Sequence, residues 1–283
     1  MTLKKYIESI QSFKGKRIAI TGATSGVGNQ LFHYLVSKDA EIVLLVRNMK
    51  KGSELQAQYP DKRINLIEYD QSSFKKIEAA CDELLNKYAD LSAIVLDAGN
   101  LGEKKPTEDC LPGTIGVNYF GVRHFIEYIS PKVKGNLRFV IQGSIVGGLK
   151  PKKNTDLHDV KLGTFTQYNL SKIYLEAYFY KLVTENIYPN IEYVLTEPGI
   201  SATNIIRNFN GFIRFTGKYF LKCVFHSPKK ACLTLLIGLT DKARNGDYIV
   251  PRGLFTMSGY PKIKDFPAKR RREYLFAKEK PLD

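Results

Sequence analysis

Near the start of the chain an apolar run, RIAIT (Arg17 to Thr21), breaks into the turn TGATSGVG and then into a helical period from Val27 to Val36. Glycines packed so densely between a strand and a helix let the backbone turn tightly. They also let an outside group approach the free amides at the helix start, where the helix dipole favours anions. A strand, a glycine turn and a helix in that order form the opening unit of a parallel α/β sheet, and little else in a chain of 283 residues accommodates them.

The rest of the chain repeats the alternation. EIVLLVR (Glu41 to Arg47), RINLIEYD (Arg63 to Asp70), SAIVLDAG (Ser92 to Gly99), LRFVIQGS (Leu137 to Ser144) and IEYVLTEPG (Ile191 to Gly199) read as strands. Helical periods fall between them at Ser72 to Tyr88, at Thr114 to Tyr128 and around Tyr168. Several strands are apolar throughout rather than alternating, as strands covered on both faces should be. The pattern predicts a doubly wound parallel sheet of about seven strands with helices on both faces, in a single α/β domain. Residues 1–14, with Leu3, Tyr6, Ile7, Ile10 and Phe13 at helical spacing, read as an amphipathic extension. Residues 15–260 form the domain, DYIV (Asp247 to Val250) is a candidate last strand, and 261–283 is a basic tail.

Composition excludes several classes. No apolar run approaches the roughly 18 residues of a membrane span; the run from Ala231 to Leu239 is broken by Thr234 and Gly238. The first residues carry charges throughout and no long apolar core, unlike a secretory leader. Cys81, Cys110, Cys223 and Cys232 lack metal-ligand or disulfide-framework spacing, and the four histidines lie on separate segments. A reduced, cytoplasmic setting without a metal centre is the expectation. The net charge of +15 invites a nucleic-acid partner. No recognition-helix pattern or RNA-binding aromatic motif accompanies it, so phosphate-binding cations, surface lysines and the tail account for it.

The chemistry concentrates in QYNLSKIYLEAYFYKL, where Tyr168 and Lys172 stand four apart and share a helix face. An ammonium beside a phenol favours the phenolate, so the tyrosine is expected to exchange a proton nearer neutrality than its free value of about 10. Proton exchange beside a dinucleotide turn suggests hydride transfer to or from a carbonyl carbon. Each residue also has a plainer reading: Tyr168 as packing, Lys172 as a solvated lysine, Ser144 as a strand-end hydrogen bonder, Asn118 as a buried polar group.

Together and in order, these motifs resemble the short-chain dehydrogenase/reductase family over roughly residues 15 to 200, a Rossmann-type fold. The resemblance implies a catalytic set of Asn118 in VNYFG, Ser144 in IQGS, Tyr168 and Lys172. It implies cofactor binding by Thr21, Gly22, Ser25, Gly26, Val27 and Gly28 of the turn, and by Asp70 on the adenine side. Ala98, Gly99, Pro198, Gly199 and Thr203 complete that set, with Tyr168 and Lys172 reaching the nicotinamide ribose. In the family's chemistry Tyr168 protonates the carbonyl oxygen, Lys172 lowers its pKa, and Ser144 hydrogen-bonds the same oxygen. One departure stands out. The family usually has NAG after the fourth strand, and this chain has Asp97, Ala98 and Gly99. A carboxylate there adds repulsion toward a diphosphate unless it is paired or hydrogen-bonded.

Arg47 ends the second strand, where such folds present a residue to the adenosine ribose. An acidic residue there repels a 2′-phosphate and an arginine attracts it, so Arg47, with Asn48 behind it, favours NADP(H) over NAD(H). Ser144 and Tyr168 are 24 residues apart, farther than in compact members of the family, which makes the intervening segment an inserted loop. That loop resembles, more weakly, the retinol-dehydrogenase-like and protochlorophyllide-reductase-like branch. Residues 200–226 mix Ile205, Phe209, Phe212, Phe215 and Phe220 with basic groups. They are expected to cover a pocket for a bulky apolar carbonyl or alcohol, with an oligomer contact or a peripheral membrane contact as the competing uses. The alternatives to an NADP(H)-dependent oxidoreductase are a non-enzymatic dinucleotide-binding regulator on the same fold and a nucleotide-sugar epimerase or dehydratase. The first would usually lack Tyr168 or Lys172. The second would need more chain after Gly199.

Overall fold

The structure, a computed structural model, describes residues 2–148, 155–199, 227–253 and 256–267. Eight strands form one sheet in the order β3-β2-β1-β4-β5-β6-β7-β8. They are β1 (Arg17–Thr21), β2 (Glu41–Val46), β3 (Ile64–Glu68), β4 (Leu91–Leu96), β5 (Leu137–Gln142), β6 (Ile191–Thr196), β7 (Tyr248–Pro251) and β8 (Pro261–Lys264). The first seven run parallel, and β8 pairs antiparallel with β7. The sheet therefore has one strand more than the sequence suggested. The extra strand lies in the segment read as a basic tail. Its short PKIK pattern alternates partly buried and exposed residues, which suits an edge strand and carries little hydrophobic signal.

The helices are α1 (Leu3–Glu8), α2 (Gly26–Ser37), α3 (Met49–Gln56), α4 (Phe74–Lys87), α5 (Gly113–Ile115), α6 (Val122–Ile129), α7 (Thr164–Glu185), α8 (Pro228–Ala231) and α9 (Leu233–Gly238). A π-helical stretch, Gly116–Gly121, joins α5 to α6.

Two apolar layers sandwich the sheet, and strand periodicity divides each strand between them. On β2, Val43 and Leu45 face the layer shared with α4, α6 and α7, while Ile42, Leu44 and Val46 face the layer with α2 and α9. Burial on both faces is why these strands lack polar alternation. The strand order reverses direction between β1 and β4, so a crevice opens beyond their carboxyl ends, where open α/β sheets bind ligands. No helix among the described residues is long and apolar enough to cross a membrane.

Candidate active site

The glycine turn lies at that crevice. Gly22 (φ +80°) and Gly26 (φ +61°) take left-handed backbone conformations that an L side chain rarely adopts. A Cβ on Gly22 would also stand 2.9 Å from the Ala98 nitrogen, so the turn can be this tight only without one. Ser25 is the N-cap of α2, in extended conformation, and its side chain makes no capping bond. The first amides of the helix are thus left uncapped by the Ser25 side chain. Val27 is buried against the core and helps seat the turn.

Thr21 ties this turn to the end of β4. Its hydroxyl donates to the Val95 carbonyl at 3.3 Å and accepts from the amides of Asp97 and Ala98 at 3.1 and 3.0 Å. Gln71 supports the same point from the other side, its Nε2 donating to the carbonyls of Ala98 (3.0 Å) and Val117 (2.7 Å). Asp70, at the end of β3, accepts from the Ser72 amide at 3.0 Å and hydroxyl at 2.7 Å, which fixes the turn into α4. Arg47 is exposed just past β2, and Asn48 caps α3 by accepting from the Lys51 amide at 3.0 Å.

Asn118 sits inside the π-helical stretch, almost wholly buried. Its amide makes a two-way bond with Asn100: Oδ1 accepts from the Asn100 amide, and Nδ2 donates to the Asn100 carbonyl, both at 2.8 Å. The same Nδ2 reaches the Ser171 hydroxyl at 3.3 Å, linking this helix to α7. Gly99 is exposed at the crevice; a Cβ there would stand 3.0 Å from Asn118 Oδ1.

On α7 the Tyr168 hydroxyl donates to Ser144 Oγ at 3.3 Å. Ser144 is buried just past the end of β5, so one short contact joins helix and sheet edge. One turn farther along, Lys172 is buried and its Nζ donates to the Gln142 carbonyl at 2.8 Å. Burial pulls the Lys172 ammonium down to about 8, with the fields of Asp97 and then Glu176 opposing the fall. Tyr168 departs from expectation. Burial pushes its phenol up, and the hydrogen bond with Ser144 offsets this only in part. Desolvation is the largest influence on the phenol, and the charge of Lys172 is not among those that move it.

Glu176 continues the same helix face below Lys172 and is wholly buried; a Cβ on Gly147 would overlap its carboxylate. The (i, i+4) spacing of Lys172 and Glu176 was available in the sequence. Gln71, Gln142 and Ser171 were not identifiable there, since they act through backbone atoms brought together only by the fold. Pro198 and Gly199 (φ +70°) follow β6 at the same edge. Glu197, before them, is wholly buried and bonded by the hydroxyls of Tyr248 and Thr256. Thr203 and the expected cover over 200–226 lie outside the described residues. Within the inserted loop, His158 packs its ring on Phe120 (centroids 5.1 Å apart) and Leu157 enters the core, which gives this part of the loop a structural role.

A family model for short chain dehydrogenases matches residues 16–212, well over half of the sequence. The chain belongs to the short-chain dehydrogenase family. An oxidoreductase of Emericella nidulans is 26% identical over 205 residues, covering 66% of this chain and 59% of its own length. A Saccharomyces cerevisiae benzil reductase ((S)-benzoin forming) is 26% identical over 206 residues, covering 68% of this chain and 73% of its own. For a short-chain dehydrogenase/reductase of Penicillium rubens the match spans only 36% of the relative's length. The fold is shared with a gluconate 5-dehydrogenase from Burkholderia cenocepacia in complex with NADP and tartrate. That structure has a TM-score of 0.64 at 19% identity and covers 81% of this chain and 89% of that one. It is also shared with a 3-ketoacyl-(acyl-carrier-protein) reductase from Brucella melitensis complexed with NADH, at a TM-score of 0.62 and 19% identity, covering 82% of this chain and 93% of that one. For this chain, membership of the family implies a nicotinamide dinucleotide cofactor. Its glycine cradle and uncapped α2 amides fit the diphosphate of that cofactor.

Proposed function

We propose that this short-chain dehydrogenase is an NADP(H)-dependent oxidoreductase acting on the carbonyl or alcohol carbon of a hydrophobic small molecule, with Tyr168 as its general acid and base. The observation that carries the reading is the 3.3 Å contact between the hydroxyls of Tyr168 and Ser144, one helical turn from a buried lysine and beside the glycine cradle. Two hydroxyls so close can address one carbonyl oxygen together, and that oxygen is where negative charge develops on reduction.

The nicotinamide, when bound, supplies or accepts the hydride. Tyr168 delivers its proton to the substrate oxygen in reduction and recovers it in oxidation. Ser144 donates a hydrogen bond to the same oxygen and holds it against Tyr168. The buried Lys172 ammonium stabilises the phenolate left behind and is positioned to reach the nicotinamide ribose. Asn118 is a positioning residue: it fixes Asn100 and, through Ser171, the turn of α7 between Tyr168 and Lys172. Thr21, Gly22, Ser25, Gly26, Val27 and Gly28 would cradle the diphosphate. Asp70, Ala98 and Gly99 would line the adenosine side, and Pro198, Gly199 and Thr203 the nicotinamide side. Arg47 and Asn48, exposed past β2, suit the 2′-phosphate of NADP(H). The apolar, aromatic segment 200–226 supports a bulky apolar substrate.

The name of the yeast relative supplies a probe. Purified protein with NADPH and a panel of aromatic ketones that includes benzil should oxidise NADPH. Tyr168→Phe should lower turnover by about 10²- to 10⁴-fold without loss of dinucleotide binding. Full turnover in that variant would remove Tyr168 from the acid role. A protein that binds the dinucleotide yet reduces nothing in the panel would point to the regulator reading instead.

A further inference from the structure

Asp97 stands where this family usually has asparagine, and the substitution reaches farther than the strand end. The carboxyl projects from the end of β4 across the crevice to the start of α2. There it packs against Gly28 so closely that a Cβ on that residue would lie 2.6 Å from its Oδ2, and the Gly28 amide favours its charged form. Gly28 belongs to the first turn of a twelve-residue helix whose N-cap side chain makes no capping bond. The protein has thus placed one of its own acidic groups against the helix start that a diphosphate would use. We propose that Asp97 makes dinucleotide binding proton-linked: the carboxyl takes up a proton as the cofactor's diphosphate seats on α2. The proposal rests on the cofactor reading above.

The groups around Asp97 set the sign. Lys172 on α7 is the cation whose field reaches it, and that field opposes the cost of burial. Cys232, at the α8–α9 junction, feels the charge of Asp97; its thiol is held neutral by burial. Gly28 packs against the carboxyl, and the Asp97 backbone nitrogen donates to the Thr21 hydroxyl. With desolvation the largest influence, the Asp97 carboxyl is pushed up to about 7 before any cofactor arrives. A diphosphate on the same helix end adds like charge and raises it further. The form that coexists with the cofactor is then the neutral acid, which can also donate a hydrogen bond to a phosphate oxygen. An asparagine would give that hydrogen bond at every pH. Aspartic acid gives it only while protonated, so affinity should fall as pH rises through 7 and above.

Calorimetric titration of the full-length protein with NADPH and with NADH at pH 7, in two buffers of different ionisation enthalpy, counts the protons exchanged. The wild type should take up about half a proton per dinucleotide more than Asp97→Asn, since about half of its Asp97 is ionised at that pH. Between pH 7 and 8 the wild-type dissociation constant should rise several-fold more than that of the variant. The difference between the two proteins cancels titration of the cofactor's own phosphate to first order. Asp97→Ser, checked for folding by thermal unfolding, should lose the same proton uptake. Equal proton uptake in wild type and both variants would overturn the role of Asp97 while leaving the cofactor reading intact. No binding of either dinucleotide to any of the three proteins would overturn the cofactor reading, and this proposal with it.

Discussion

At the Tyr168 hydroxyl two physical effects oppose each other, and residue spacing could not decide between them. The hydrogen bond with Ser144 favours the phenolate, but burial of the site favours the neutral phenol, and burial prevails. Lys172 pays the same desolvation penalty, its pKa pulled down to about 8, so the ammonium releases its proton more readily than in water while the phenol holds its own more firmly. Of the two, only the lysine is shifted toward neutral pH. Arg47 is simpler because it is exposed, and in the proposed NADP(H) reading it acts by charge alone. Arg47→Asp should shift the ratio of kcat/KM for NADPH over NADH toward NADH by about 10- to 100-fold, corresponding to about 1–3 kcal/mol for one lost charge-assisted contact and one added repulsion. An unchanged ratio, measured with both cofactors on one ketone, would show that Arg47 does not contact the 2′-phosphate.

Among the elements, the helix bearing Asn118 departs most from regular geometry. Its π-helical stretch inserts extra backbone between α5 and α6, and such stretches recur at functional positions. The stretch lets the Asn118 side chain meet both backbone groups of Asn100 at 2.8 Å while staying in reach of Ser171. Asn118→Ala leaves the buried backbone groups of Asn100 without these partners. It should destabilise the protein by about 1–3 kcal/mol in urea unfolding. If the side chain only fills space, Asn118→Leu would restore stability and Asn118→Asp would not differ from it; loss in all three supports the hydrogen-bonding role. The periodicity of this segment correctly announced a helix over Thr114 to Tyr128. Its change of pitch left no mark in the hydrophobic pattern, since a one-residue widening moves no apolar side chain off the core face for long.

Across the whole molecule, the sheet is held by two apolar layers and closed at one edge by β8. The residue just beyond β8, Phe266, is buried against Phe179, Tyr180 and Tyr248, so the segment following β7 is anchored to α7. This anchoring places part of the expected basic tail within the fold. Phe266→Ala should cost about 3–5 kcal/mol of stability by equilibrium denaturation, the usual range for a buried phenylalanine. A loss within 0.5 kcal/mol, typical of surface positions, would mean that the strand and its anchor are not packed as described.

The parallel sheet, its first six strands, the glycine turn and the family were all legible in the sequence. They depend on local signals: apolar runs of strand length, glycines where the backbone must turn, and residues at helical spacing. The same signals located Ser144, Tyr168, Lys172 and Asn118, and they flagged Asp97 as a departure. Only the tertiary structure decided what these residues experience. Burial, which depends on every layer packed around the crevice, raised Tyr168 and lowered Lys172. The meeting of β4 with α2 set the Asp97 carboxyl over Gly28, and an edge pairing with almost no hydrophobic signature added the eighth strand. Spacing along a chain specifies which groups can share a face, whereas dielectric surroundings and long-range contacts exist only once the chain has closed on itself.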